Sequence, residues 1–183
     1  MNPVEPPLSA PSRSPTWRFM AEHPAHWLAL GGGSGLSPVA PGTAGTLWAW
    51  VAYLVLSRWL TPPQWGVVIA IGLPVGWWAC TVTARHLGRP DPSAVVWDEV
   101  LAFWLVLWLV MPAGFWMQLT AFALFRYFDA AKPGPVGWAD GLFKGRGPEV
   151  GWAQGFGILF DDLVAALCTL LVSAAGVALW GAR

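Results

Sequence analysis

The stretch Phe125-Arg126-Tyr127-Phe128-Asp129-Ala130-Ala131-Lys132-Pro133 closes a long apolar segment with three charged residues. Arg126, Asp129 and Lys132 are spaced three apart, and residues three apart are neighbours on one face of a helix. Pro133 ends such a helix, because proline has no N–H to continue it. The pattern predicts an apolar helix that ends by presenting two cations and a carboxylate together. An Arg–Asp ion pair at the helix end is the simplest interpretation, and an anion-binding or metal-binding group is the alternative.

The composition is typical of a membrane protein. Of the 183 residues, 56% are hydrophobic and only 11% are charged, whereas soluble domains carry about 25% charged residues. The 15 tryptophans point the same way, since this side chain favours membrane–water interfaces. Ten basic and ten acidic residues cancel, so the charge does not indicate a nucleic-acid partner.

The hydrophobic pattern divides the chain into a tail and a bundle. We predict that residues 1–25, rich in Pro and Ser, form a disordered tail and that residues 26–183 form one helical membrane domain. The bundle is expected to be all-α and multi-pass, with about five apolar helices, two of which approach the roughly 20 residues that span a bilayer. The predicted apolar segments run over about 45–60, 65–84, 100–111, 115–128 and 163–180.

The basic residues predict which side the polar loops face. If all five segments cross, the loops over residues 31–46, 85–99 and 129–162 share one side. That side carries eight of the ten Lys and Arg residues. Because short cytoplasmic loops carry the excess of Lys and Arg, the polar loops are expected to face the cytoplasm.

A segment rich in glycine and small hydroxyl residues precedes the first apolar segment. Its end, Gly42-Thr43-Ala44-Gly45-Thr46, could bind a phosphate through backbone N–H groups at a helix N-terminus. A capped linker, with Thr43 or Thr46 as N-cap of a helix from about Leu47, is an equally good interpretation.

Two acidic pairs, Asp98-Glu99 and Asp161-Asp162, each open an apolar segment. Acidic residues in a first helical turn complement the helix dipole and cap free N–H groups. Acids at membrane depth, however, are costly and usually functional. Helix neighbours point about 100° apart, so Asp161 and Asp162 need not share a role.

The predicted topology brings five carboxylates to one membrane face with two cations among them. An oxygen-rich set of this kind suits Mg²⁺ and phosphate, and the membrane setting suggests a lipid phosphate as the substrate of a phosphoryl-transfer or hydrolysis site. A small transporter with acids lining a cation path is the alternative from another class, although these acids lie at segment ends. The histidines His23, His26 and His86 have no metal-ligand spacing. The carboxylates are those of Asp98, Glu99, Asp129, Asp161 and Asp162, and the cations are Arg126 and Lys132.

Four blocks in order resemble the phosphatidylglycerophosphatase A family of bacterial membrane phosphatases. Together they span about residues 31–180, with two departures: Ala102 stands where the family commonly has Gly, and residues 145–152 form an insertion of unassigned role. The blocks are Gly35-Leu36-Ser37-Pro38 through Thr46; Val95-Val96-Trp97-Asp98-Glu99; Phe125 to Asp129 with Lys132, Pro133, Pro135 and Asp140; and Gly155-Phe156-Gly157 with Asp161-Asp162.

The resemblance implies a magnesium-dependent phosphatase of an all-helical fold. It would remove the terminal phosphate of phosphatidylglycerophosphate to give phosphatidylglycerol, at the cytoplasmic face of the bacterial inner membrane. A phosphatase of another lipid phosphate is the nearest alternative, and the sequence does not indicate an oligomeric state.

The chemistry of the polar clusters, taken together with the resemblance, leads to a hypothesis for the role of each residue. Water attacks the phosphate, or Asp129 forms an aspartyl-phosphate; the absence of the haloacid-dehalogenase D-x-D-x-T/V motif argues against the second route. The expected metal ligands are Asp98, Glu99, Asp129 and Asp161 or Asp162. The expected catalytic residues are Arg126, Asp129, Lys132 and Asp162. The expected substrate-binding residues are Gly42, Thr43, Gly45, Thr46, Arg126, Lys132 and Asp140.

Overall fold

A computed structural model of the protein describes residues 13–144 and 150–181. Within these ranges the regular structure is entirely helical, as the sequence predicts. A short 3-10 segment, Gly31–Leu36, joins the second and third helices. The helices are α1 (Trp17–Ala21), α2 (Pro24–Ala29), α3 (Pro41–Leu56), α4 (Pro62–Leu87), α5 (Trp97–Val110), α6 (Phe115–Ala131), α7 (Pro135–Lys144) and α8 (Trp152–Gly181).

Two helices have the length and composition needed to cross a membrane. They are α4, over Pro62–Leu87, and α8, over Trp152–Leu179. The helices α3, α5 and α6 overlap the other predicted apolar segments but contain 16, 14 and 17 residues, fewer than the roughly 20 of a full span. The fold is therefore that of a membrane-associated helical protein.

Helix α5 lies at the centre and packs against α3, α4, α6 and α8. Its contact with α4 is close because Gly72 and Gly76 have no Cβ, and a Cβ at either position would collide with Leu101 or Trp97. Apolar burial gives little drive for helix association in lipid, so close packing of small residues and interhelical hydrogen bonds take its place.

Tryptophan side chains supply several of these hydrogen bonds. The Nε1 atom of Trp104 on α5 donates to the carbonyl of Ala49 on α3 at 2.9 Å, and Nε1 of Trp50 on α3 donates to Oε1 of Gln118 on α6 at 2.7 Å. All four residues are buried. These bonds link α3 to both α5 and α6.

Part of the predicted disordered tail is helical. Residues 13–25 include α1 and the start of α2, while residues 1–12 lie outside the described part of the chain. The Thr16 hydroxyl caps α1 by accepting from the Phe19 N–H at 3.2 Å, and the Phe19 and Met20 side chains are buried. A cap and two buried apolar side chains order this segment despite its polar, proline-rich context.

The start of the first long helix differs from our prediction. Helix α3 begins at Pro41 rather than near Leu47, and Thr43 and Thr46 lie inside it rather than at its N-cap, where Ala40 stands. The physical reason is Pro41, whose fixed φ suits the first helical position and whose missing N–H would be unpaired there in any case.

The glycines before α3 pack against the chain that leads into α5. A Cβ on Gly35 would collide with the Ala94 carbonyl, and a Cβ on Gly45 would lie 2.7 Å from Cβ of Val96. The Val96 N–H donates to the Ala29 carbonyl of α2 at 2.8 Å. The glycine-rich segment therefore fixes the backbone immediately before Asp98 and Glu99.

Candidate active site

Three carboxylates meet in the interior of the bundle. Asp98 and Glu99 come from the first turn of α5 and Asp162 from α8. One oxygen from each lies within 4.8 Å of the others. The oxygens Asp98 Oδ1, Glu99 Oε2 and Asp162 Oδ2 are buried without a hydrogen-bond partner. Because carboxylates repel one another and buried acceptors need partners, this arrangement is suited to a metal ion.

Arg126 lies beside this trio at the end of α6. Its Nη1 is 3.9 Å from Glu99 Oε1 and hydrogen-bonds to the Asp129 carboxylate one helical turn on. Nη1 also lies 3.4 Å from the hydroxyl of Thr46 on α3. Gly42 makes this approach possible, since a Cβ there would collide with Glu99 Oε1 and lie 3.2 Å from the guanidinium. A guanidinium has five N–H donors, so Arg126 keeps donors for a further anion.

Lys132 joins three helices at the edge of the same site. Its ammonium hydrogen-bonds to Asp140 on α7 and to Asp161 Oδ2 on α8, the latter at 2.5 Å. Burial lowers the pKa of Lys132, but the hydrogen bonds and negative charges of Asp140 and Asp161 outweigh burial and raise that pKa above its usual range. Lys132 is therefore a permanent cation between α6, α7 and α8.

A cavity of about 300 Å³ is lined by the three carboxylates of the trio and by Arg126, Asp129, Lys132 and Asp161. Ala40 and Lys132, both at its wall, adopt left-handed backbone conformations with φ of 46°. Among the described residues they are the two non-glycine residues with positive φ. Such conformations cost energy and concentrate at functional sites, so this wall is shaped at some expense to stability.

The five predicted metal ligands line the same cavity but differ in their partners. Asp98, Glu99 and Asp162 share one cluster, Asp129 pairs with Arg126 and also lies next to Asp162, and Asp161 pairs with Lys132. Asp140 also contacts Lys132 and is not among the residues that line the cavity.

Of the residues predicted to bind phosphate in the glycine-rich segment, one lines the cavity and the others do not. Gly42 lines the cavity. Thr43 lies half-buried in the first turn of α3. Gly45 is buried against Val96, and the fully buried Thr46 donates its hydroxyl to the Gly42 carbonyl at 2.8 Å. Gly45 and Thr46 therefore support the residues that line the cavity without lining it themselves.

Sequence reasoning did not select Asp91 and Ser93, which line the same cavity from the loop before α5. Both residues are exposed, and they flank the buried Pro92. The signal in the sequence consists of two polar residues around a proline, a few positions before Asp98. On its own, that signal does not differ from an ordinary turn.

The three histidines converge away from the cavity. His26 Nε2 lies 2.8 Å from His86 Nδ1, and His26 Nδ1 lies 2.7 Å from the Phe19 carbonyl. The His23 ring centroid is 5.5 Å from that of His26. Because a carbonyl only accepts, Nδ1 of His26 carries a proton, and Nε2 accepts from His86. The cluster attaches the α1–α2 hairpin to the end of α4.

Comparison with protein families matches the sequence of this chain to a known group. Residues 27–177 match the family model described as phosphatidylglycerophosphatase A. The matched range includes every residue that lines the cavity. No solved structure matches the chain.

Three curated relatives align over most of their length. Phosphatidylglycerophosphatase A of Escherichia coli (strain K12) is 36% identical over 82% of this chain and 81% of its own. The protein of the same name from Haemophilus influenzae is 33% identical over 87% and 92%. A protein described as "Putative phosphatidylinositol-3-phosphatase" from Bacteroides thetaiotaomicron is 36% identical over 84% and 92%.

Proposed function

The chain belongs to the phosphatidylglycerophosphatase A family and is a phosphatase of phosphatidylglycerophosphate, and we propose that it works with Mg²⁺ held by Asp98, Glu99 and Asp162. One observation carries the proposal: three carboxylates, each with a buried oxygen that has no hydrogen-bond partner, converge beside two cations.

The donor set fits the ion. Mg²⁺ prefers oxygen ligands, typically one or two carboxylates together with water and substrate phosphate. The site offers carboxylate oxygens, while the two cysteines, Cys80 and Cys168, are not among the residues that line the cavity. When bound, the ion supplies positive charge that offsets the charges of the carboxylates and of the phosphate.

The cations of the site bind and orient the phosphate. Arg126, held by Asp129 and Thr46, presents its remaining N–H groups to the phosphate oxygens, a geometry that guanidinium favours. Lys132 donates two of its three protons to Asp140 and Asp161 and retains the third for the phosphate. Holding both cations before the substrate arrives lowers the cost of orienting them during the reaction.

Water is the nucleophile in the proposed reaction. Attack in line on phosphorus breaks the bond to the glycerol oxygen, which leaves with a proton to give phosphatidylglycerol and phosphate. Asp129 orients Arg126 in this scheme, because its carboxylate is already engaged by the guanidinium.

The proposed location is the inner membrane, with several crossings and with the site at the cytoplasmic face. Support comes from α4 and α8, which are long and apolar enough to cross, and from the excess of Lys and Arg in the polar loops. Asp98 and Glu99 lie in the first turn of α5, and Arg126 lies near the end of α6, which favours a surface-facing enzyme over a transporter. Asp161 and Asp162, predicted to open an apolar helix, lie instead inside α8, which begins at Trp152.

The test is phosphate release from phosphatidylglycerophosphate by the purified protein in detergent. We expect turnover with Mg²⁺, loss of turnover in EDTA and recovery when Mg²⁺ is restored. Asp162→Asn serves as the inactive control. Turnover that is unchanged in EDTA would contradict the metal assignment, and absence of turnover under every condition would contradict the function.

A second candidate substrate is a phosphatidylinositol phosphate. The observation that favours it is the name of the Bacteroides relative, which has the same 36% identity to this chain as the Escherichia coli enzyme. Phosphatidylinositol 3-phosphate therefore belongs in the same assay. A higher kcat/KM on this lipid than on phosphatidylglycerophosphate would make phosphatidylinositol 3-phosphate the preferred substrate.

A further inference from the structure

We propose that Asp91 and Ser93 form a headgroup subsite that binds the free hydroxyl groups of the alcohol carrying the phosphate. This inference rests on the proposed function, since it names the part of the site that distinguishes one lipid headgroup from another. Asp91 and Ser93 line the same cavity as the carboxylate trio and reach it from the loop that precedes α5 rather than from the helices that carry Arg126 and Lys132.

The cavity has room for more than the reacting phosphate. Its volume of about 300 Å³ is at the lower end of the range of about 300–1,000 Å³ for small-molecule sites. Part of its wall is made of small or apolar residues, among them Ala40, Pro41 and Ala130. The additional space accommodates the alcohol next to the phosphate.

The chemistry of this wall suits hydroxyl groups and disfavours phosphate. A carboxylate accepts hydrogen bonds from alcohols but repels a phosphate dianion, and a serine hydroxyl both donates and accepts. Among the described residues that line the cavity, Ser93 alone has a neutral hydroxyl. The reacting phosphate is therefore directed to Arg126 and Lys132, and the alcohol to Asp91 and Ser93.

The loop that carries the two residues is held in place before substrate binds. Pro92, between them, is buried, and its carbonyl accepts from the Val95 N–H at 2.9 Å. Val96 is in turn fixed to α2 through the Ala29 carbonyl. A polar group that is held in position to hydrogen-bond a substrate hydroxyl discriminates against a substrate that lacks this hydroxyl.

The two candidate lipids differ in the hydroxyl groups of the alcohol that carries the phosphate. Glycerol phosphate and inositol phosphate present the same phosphomonoester to the carboxylates and cations, but they present different numbers and positions of hydroxyl groups. Discrimination between them must come from groups beyond those that bind the phosphate. Asp91 and Ser93 are such groups.

The experiment pairs two variants with two substrates. The substrates are phosphatidylglycerophosphate and a synthetic analogue in which propane-1,3-diol replaces the headgroup glycerol, so that the free hydroxyl is missing. Ser93→Ala and Asp91→Asn are compared with the wild type in kcat/KM. Ser173→Ala, in the distant half of α8, is the matched control for loss of a serine hydroxyl.

We expect Ser93→Ala to lower kcat/KM on phosphatidylglycerophosphate about tenfold, the upper range for one neutral hydrogen bond, and to leave kcat/KM on the analogue nearly unchanged. Asp91→Asn should show the same selective loss. Ser173→Ala should match the wild type on both substrates.

An equal loss on both substrates would show that these residues act on structure or on the phosphate, and would overturn the subsite. No loss on either substrate would overturn it as well. Both outcomes leave the proposed function intact, because wild-type turnover of phosphatidylglycerophosphate is measured in the same experiment.

Discussion

Asp161 and Asp162 are consecutive in α8, yet their carboxylates have different partners. Asp161 Oδ2 accepts from the Lys132 ammonium at 2.5 Å, whereas Asp162 lies with Asp98 and Glu99 in the acidic trio. Helix neighbours point about 100° apart, so one helical turn contributes both to the cation site and to the proposed metal site.

This division predicts different effects of neighbouring substitutions. Asp162→Asn should lower kcat/KM by at least about 100-fold, the upper end of what an outer-shell partner of a metal costs, and should abolish the rise in melting temperature caused by Mg²⁺. Asp161→Asn should lower activity but keep that rise, because ligand binding to the folded state still stabilises it. A thermal shift retained in Asp162→Asn and lost in Asp161→Asn would reverse the assignment.

Thr46 is predicted to position Arg126 without touching substrate. The hydroxyl is fully buried and links the Gly42 carbonyl to the guanidinium. Thr46→Val should lower kcat/KM about tenfold, in line with loss of a hydrogen bond to a charged group. Thr46→Ser, which keeps the hydroxyl, should restore most of the activity. If the serine variant is as impaired as the valine variant, the methyl packing matters rather than the hydrogen bond.

Asp129 is predicted to orient Arg126 rather than to attack phosphorus. Asp129→Asn should lower kcat/KM by about 10–100-fold, the usual effect of losing an orienting partner. Rapid acid quench with substrate labelled in the terminal phosphate should leave no label on the wild-type protein. Label on wild type that disappears in Asp129→Asn would instead establish an aspartyl-phosphate, and full activity of the variant would remove Asp129 from the site.

Acid should loosen the α1–α2 hairpin. Burial lowers the pKa of His26, with smaller contributions from the neighbouring His86 and His23, while the bond to the Phe19 carbonyl and the charge of Glu22 oppose that change. Since the folded-state pKa is below the unfolded value of about 6.5, the unfolded segment binds a proton first as pH falls. Stability of the hairpin is therefore complete above about pH 6.5 and decreases below it.

The measurement for the hairpin is amide hydrogen exchange in α1 and α2 at pH values above and below about 6.5, corrected for the intrinsic pH dependence of exchange. His26→Gln, which keeps hydrogen-bonding capacity without titrating near neutral pH, should show no such pH dependence. An equal pH dependence in the variant would assign the effect to other groups.

Much of the fold could be predicted from the residues because membrane helices follow simple rules. A low charge content and runs of apolar residues ended by Pro112 or Pro133 predict helices wherever they occur. The predicted start of α3 was wrong because Gly and Thr in sequence resemble a loop, although Pro41 initiates the helix. The sequence did not reveal α1, because Phe19 and Met20 become buried only against residues distant in sequence, such as Leu30 and Leu87.

The sequence by itself determined the chemistry available at the site. The spacing of Arg126, Asp129 and Lys132 and the acidic pairs at 98–99 and 161–162 predict a group of carboxylates and cations that suits a metal ion and phosphate, and the order of the four blocks favours a phosphatase over a transporter. Spacing along one helix is a local property, and helical geometry places Arg126 and Asp129 on one face. The prediction that Lys132 shares this face was wrong, because α6 ends at Ala131 and Lys132 follows it in a left-handed conformation.

Only the tertiary structure decided which carboxylate pairs with which partner. Asp162 joins Asp98 and Glu99 across α5 and α8, Thr46 contacts Arg126 across α3 and α6, and Ser93 reaches the same cavity from a loop. These relationships depend on how the helices cross, which glycines such as Gly42 and Gly76 set by allowing close approach. Contacts between residues distant in sequence are a property of packing, and no local pattern encodes them.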